Sequence, residues 1–138
     1  MAVLNEMLLM GLDVTVIPIK SKTDLIKRIK KENFNVLVSN GCPFVLPVSK
    51  LKERRHIFVN IHPSLLPDLK GKSPILEAIM QHKPFGATCH HMVDEVDSGK
   101  IISQVKYEAD RTNLNDCYRK SYEAEVKVFK LAYKRRFI

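Results

Sequence analysis

The run His56-Ile57-Phe58-Val59-Asn60-Ile61-His62 decides how the rest of the chain is read. Ile57, Phe58, Val59 and Ile61 make a short apolar run of the kind that forms a strand covered on both faces. Strand side chains alternate between faces, so Asn60 and His62, spaced by two, fall together on one side of it. Upstream, Asn35 to Ser39 carries Val36, Leu37 and Val38 and reads as a second buried strand. Between the two strands, Asn40-Gly41-Cys42-Pro43 is a loop and Pro47 opens a short helix through Leu51. Downstream, a Pro- and Gly-punctuated loop from His62 to Lys72 leads to a helix carrying Ile75, Leu76, Ile79 and Met80, with Ser73 as cap and Pro74 in its first turn.

Further out, Ala2 to Met10 reads as a helix closed by Gly11, and the β-branched run Val14-Thr15-Val16-Ile17 as a strand ended by Pro18. Ser21 or Thr23 caps a helix with Leu25, Ile26 and Ile29 on one face. Strands over Ala87 to Met92 and Ile101 to Tyr107 flank an acidic segment, Asp94 to Gly99. A long helix from Leu114 places Tyr118, Tyr122, Val126, Phe129 and Tyr133 at helical spacing, a stripe expected in the core. Helices alternating with apolar strands predict an α/β layer structure with a mainly parallel sheet. The length of 138 residues fits a single domain over residues 1–138.

With 45% hydrophobic and 28% charged residues, the chain lies outside disordered and fibrous classes. The net charge of +8 sits largely in Lys27 to Lys31 and Lys127 to Arg136, which read as solvated helix faces that also attract phosphates. No alternation of aromatic and basic residues marks a single-strand nucleic-acid platform. Cys42, Cys89 and Cys117 are odd in number and far apart, which is neither a disulfide framework nor a zinc spacing and fits a reducing cytoplasm. Asn5 and Glu6 interrupt the apolar start and no basic region precedes it, so it reads as neither a signal peptide nor a membrane span.

Open parallel sheets hold ligands beyond the carboxyl ends of their strands, which is where Asn60 and His62 fall. An Asn amide can donate to a developing oxyanion, and an imidazole can move a proton near neutral pH. A carboxylate from Asp94-Glu95-Val96-Asp97 can orient His62 or stabilise its cation. Plainer readings of the same residues stay open. Asn at a strand end caps turns, a lone His is often a satisfied polar residue, and Asp and Gly are ordinary in loops.

The wording of two blocks goes further. Asn60-Ile61-His62-Pro63-Ser64-Leu65-Leu66-Pro67, followed by Gly71 and Pro74, resembles the signature loop of the folate-dependent formyltransferases. Gly86-Ala87-Thr88-Cys89-His90, then Asp94 through Gly99 and on to Gln104, resembles the family's second block in the same order. The resemblance implies a three-layer α/β fold around a mainly parallel, Rossmann-like sheet. It implies transfer of a formyl group from 10-formyltetrahydrofolate to an amine, with Asn60, His62 and Asp97 catalytic. It implies a pterin lying against backbone near Phe44 and Leu46 and against Val96 and Asp97, with Thr88 and His90 in support. It implies no metal, and His62, His90, His91 and Asp97 match no common zinc spacing.

Gly71-Lys72-Ser73-Pro74 resembles the amino-sugar and methionyl-tRNA branches of that family. A methionyl-tRNA enzyme carries a further RNA-binding domain after this one. The expected acceptor is therefore a phosphate-bearing small molecule, a nucleotide-linked amino sugar, and not nucleic acid. Family members begin with a strand, a Gly loop and a helix before the region resembled by Met1, so an N-terminally shortened sheet is expected. Its edge would call for a homo-oligomer or a covering partner. Two alternatives accompany this reading: a formyltetrahydrofolate deformylase, and a catalytically silent fragment or binding module.

Overall fold

A computed structural model describes residues 2–138, leaving Met1 outside the described residues. The elements run α1 (Ala2–Leu9), α2 (Lys22–Lys31), β1 (Val36–Asn40), α3 (Val48–Leu51), β2 (Ile57–His62), α4 (Pro74–Met80), β3 (Phe85–His91), β4 (Ile101–Tyr107) and α5 (Leu114–Lys134). The strands form one sheet in the order β1-β2-β3-β4.

Strand alternation sorts the apolar side chains into two cores. Val59 and Ile61 of β2, with Ala87 and Cys89 of β3, face α1 and α5, where Val3, Met7, Val128 and Phe129 cover them. Phe58 faces the other way, into a core with Leu25 and Ile29 of α2 and Val48 and Leu51 of α3. The sheet thus has helices on both faces, as the three-layer α/β expectation requires. Ser21 caps α2 by accepting the Asp24 N–H at 3.1 Å, and Asn113 caps α5 by accepting that of Asp116 at 3.1 Å.

The expectation of a mainly parallel sheet is corrected in one respect: only β1 and β2 pair in parallel. β3 runs antiparallel to both β2 and β4. A parallel return needs a crossover along the sheet face, but α4 has only seven residues. It packs at the margin, where Ile75 and Ala78 meet Phe85 and Cys117, and the chain re-enters the sheet heading back.

Three further expectations change. Ser73 precedes α4 in a left-handed conformation, φ +56, and makes no side-chain capping bond, so the helix opens on Pro74 without a side-chain cap. Val14 to Ile17 forms no strand; Val14 packs on one core and Ile17 on the other, while Val16 stays exposed. β-branched residues express their strand preference only against a ladder partner, and none is offered there. On α5 the buried positions are Cys117, Ser121, Ala124, Glu125, Val128, Phe129 and Ala132, whereas Tyr122 and Tyr133 of the expected stripe are exposed. Small side chains at helical spacing let the helix lie close on the strands, and the tyrosines fall beside that contact.

Candidate active site

The face of β2 that carries Phe58 also carries Asn60 and His62, since all three share one alternation. Register extends this polar row across the sheet: Asn60 lies opposite His90, His62 opposite Thr88, and Thr88 opposite Gln104. The Asn60 to His90 pair adjoins a bulge in the β3–β4 ladder, a common device for re-aiming side chains beside functional sites. The site is therefore a patch of the sheet face at the carboxyl end of β2, on the side away from α5.

Over this patch the segment between β3 and β4 doubles back and delivers Asp97. Gly99 permits the return: a Cβ there would lie 1.6 Å from the His91 carbonyl oxygen. Asp97 itself sits at φ +52. Its Oδ1 lies 3.4 Å from Asn60 Nδ2, 3.6 Å from His62 Nδ1 and 3.8 Å from His90 Nε2. Its Oδ2 accepts the Gly71 N–H at 2.8 Å, from a glycine at φ +89. The Asp97 side chain is only 9% exposed, and a carboxylate so placed needs donors about it. The Gly71 N–H and the Asn60 amide supply them, while the His62 and His90 rings close the rest of its surroundings.

His62 is buried, and its Nε2 lies 2.8 Å from the Leu69 carbonyl. A carbonyl only accepts, so Nε2 carries a proton and Nδ1 is left facing Asp97. Leu69 presents that carbonyl from a left-handed conformation, φ +58. The ring is oriented from one side by backbone and from the other by carboxylate. A proton placed between Nδ1 and Oδ1 can pass to a third group in the cleft.

The loop after β2 is held by Thr88, which is fully buried. Its hydroxyl donates to the Ser64 carbonyl at 2.7 Å and accepts the Leu66 N–H at 3.2 Å. Gln104 adds bonds to the Leu66 carbonyl at 2.7 Å and to Thr88 Oγ1 at 3.0 Å. The acidic loop is tied to α3 by Asp94, whose carboxylate accepts from Ser49 Oγ at 2.6 Å and Ser49 N at 2.9 Å. Those bonds hold the Asp94 carboxyl below the ordinary Asp range.

Asn60, His62 and Asp97 thus converge. The residues expected to bind the pterin fall on two neighbouring segments. Phe44 is half-buried and Leu46 is buried in the α2–α3 core, with Val45 exposed between them. Val96 is exposed on the acidic loop beside Asp97. Among the described residues, no group of three His, Cys, Asp or Glu side chains is arranged to hold a metal ion. Sequence reasoning gave His90 only a general supporting role, and it missed the Leu69 carbonyl and the Gly71 N–H. The His90 signal was present, since Thr88 and His90 repeat the two-residue spacing of Asn60 and His62. The backbone groups carried none.

Comparison with known proteins gives a single picture. The family model described as formyl transferase matches residues 15–132. The methionyl-tRNA formyltransferase of Bacillus cytotoxicus is 38% identical over 92 residues, covering 65% of this chain and 29% of the relative. The formyltransferase PseJ of Anoxybacillus kamchatkensis, solved with UDP-4,6-dideoxy-4-formamido-L-AltNAc and tetrahydrofolate, superposes with a TM-score of 0.64 at 29% identity. That match covers 75% of this chain and 56% of the other. Phosphoribosylglycinamide formyltransferase of Campylobacter jejuni superposes with a TM-score of 0.68 at 25% identity, covering 97% of this chain and 73% of that one. The chain spans about a quarter of the length of the curated relatives it matches.

Proposed function

Because this chain belongs to the formyl transferase family, we propose that it transfers a formyl group from 10-formyltetrahydrofolate to an amine, with Asn60, His62 and Asp97 as its catalytic residues. The observation that carries the reading is the convergence of Asn60 Nδ2 and His62 Nδ1 on one Asp97 oxygen, at 3.4 and 3.6 Å. Attack of the amine nitrogen on the formyl carbon moves the carbonyl electron pair onto oxygen, and an Asn60 N–H donates to that oxyanion. The proton lost by the amine passes to the His62–Asp97 pair and from it to the folate nitrogen as the old C–N bond breaks. The pterin lies against the backbone of Phe44 to Leu46 and against Val96 and Asp97.

For the acceptor we propose a nucleotide-linked amino sugar, supported by the product-like sugar held in the PseJ complex. A second reading, methionyl-tRNA, is favoured by the curated relatives. The same proposal places the chain in the cytoplasm, in keeping with its three free cysteines. It also places a second copy or another protein along β1, which ends the sheet without a further strand among the described residues. Sedimentation showing a cooperatively folding monomer would remove that last element.

The test is formation of tetrahydrofolate from 10-formyltetrahydrofolate in the presence of a UDP-linked 4-amino sugar, of methionyl-tRNA, or of neither. Turnover with one acceptor identifies it. Stoichiometric formate with neither acceptor makes the protein a deformylase. A folded protein that binds folate but turns over in no arm is a binding module, and the transferase reading falls.

A further inference from the structure

We propose that His90 is a positioning residue that fixes which end of the Asn60 side-chain amide faces the reacting group. The proposal rests on the reading of Asn60 as a catalytic residue.

The argument starts from the tautomer of His90. Its ring is almost fully buried, at 2% exposure, and Nδ1 lies 2.8 Å from the His91 carbonyl oxygen. A carbonyl cannot donate, so Nδ1 bears the proton. Burial disfavours a charged ring here and holds its pKa below the ordinary histidine value, although the His91 carbonyl and Asp97 pull the other way. The neutral ring then presents a bare lone pair at Nε2. That atom is 3.1 Å from the Asn60 amide, and only the NH₂ end of an amide can satisfy it.

Asp97 makes the same demand. Its Oδ1 lies 3.4 Å from the same amide nitrogen and also accepts only. Turned by 180°, the amide would set its carbonyl oxygen against a lone pair and a carboxylate at once, two repulsive contacts away from water. The two acceptors therefore agree on one orientation. One Asn60 N–H is taken up by His90. The other, held at 3.4 Å, is free to turn to an oxyanion. Asp97 alone is a weak guide, since it also receives His62 and the Gly71 N–H. His90 contributes the acceptor whose remaining nitrogen is already bound to backbone.

The experiment uses the full chain and two variants. His90→Phe keeps a flat ring without an acceptor, and His90→Gln keeps an oxygen that can accept from Asn60. In nitrogen-15 NMR the wild type should show a His90 ring protonated at Nδ1 only. It should also show Asn60 side-chain amide protons protected from exchange, with protection lost in His90→Phe and partly regained in His90→Gln. In single-turnover formyl transfer, His90→Phe should slow the rate about tenfold or more with folate affinity unchanged. In an Asn60→Ala background it should slow it no further, because the effect passes through Asn60. A ring protonated at Nε2 instead, unchanged Asn60 protection in His90→Phe, or losses that simply add would each overturn the proposal. If the wild type transfers formyl to no amine, the reading of the site fails on its own, and the NMR arms still decide the orientation of Asn60.

Discussion

Two clusters of buried polar groups flank this sheet, and they are built on opposite terms. On one face, Asn60, His62, Thr88, His90 and Asp97 each meet a partner delivered by another segment. On the other, at the contact between β4 and α5, Tyr107 Oη and Ser121 Oγ are buried beside one another with no well-formed hydrogen bond among the described residues. Glu125 is buried beside that contact at 6% exposure. Burial alone pushes its carboxyl up to about 7 and is the largest influence lifting the Tyr107 phenol to about 12. Low dielectric strengthens a satisfied network and penalises an unsatisfied one. The first cluster should therefore reveal itself in chemistry, the second in stability.

The largest effect expected is on formyl transfer. Asp97→Asn and His62→Ala should each lower the single-turnover rate by about a hundredfold or more while leaving folate affinity nearly intact. In the roles proposed for them, both residues act on charge and protons that arise only in the transition state. Loss of folate binding with an unchanged rate at saturation would make them contacts for the folate and erase the contrast drawn above.

Next comes Glu125. The unfolded chain releases this proton near the ordinary Glu value of 4.5, whereas the folded chain keeps it to about 7. Stability is therefore undiminished below the lower value, falls as pH rises between the two, and has lost its full share above the upper one. That share is about 3 kcal/mol. Denaturant titrations of Glu125→Gln from pH 4 to 8 should lack this decline and exceed the wild type at pH 8. Parallel curves for the two proteins would show that Glu125 is charged and paired in the fold.

Thr88→Val tests the satisfied cluster by the same measurement. It leaves the Leu66 N–H and one Gln104 donor without their shared acceptor, and should cost about 1–3 kcal/mol. The smallest effect belongs to Tyr107→Phe, which removes a hydroxyl with no well-formed hydrogen bond among the described residues. Its stability should match the wild type or exceed it by less than about 1 kcal/mol. A loss as large as that of Thr88→Val would mean that the two clusters do not differ.

Much of the fold was legible because it follows from local rules. Ile57 to Ile61 read as a buried strand, Ser21 or Thr23 as a helix cap, and Asn60 with His62 as one face of a strand, all from spacing and side-chain chemistry. Two of the misreadings share a cause. Val14 to Ile17 was assigned by β propensity, and the α5 stripe by its aromatic residues, yet ladder partners and helix approach set the outcome in each. The site divides in the same way. Asn60, His62 and Asp97 stood out as residue types able to do chemistry, reinforced by two blocks of family wording.

By itself, then, the sequence determined the kinds of element, the two apolar faces of β2 and the polar pair set among them. Periodicity and side-chain chemistry act within a few residues, so one chain segment suffices to read them. Only the tertiary structure decided that β3 returns antiparallel, that it sets His90 opposite Asn60, and that Gly99 folds Asp97 back over both. Those placements depend on register and on backbone approaches between segments tens of residues apart, and no single segment encodes them. The Leu69 carbonyl and the Gly71 N–H belong with them, because every residue has these groups and only the fold aims these two at His62 and Asp97.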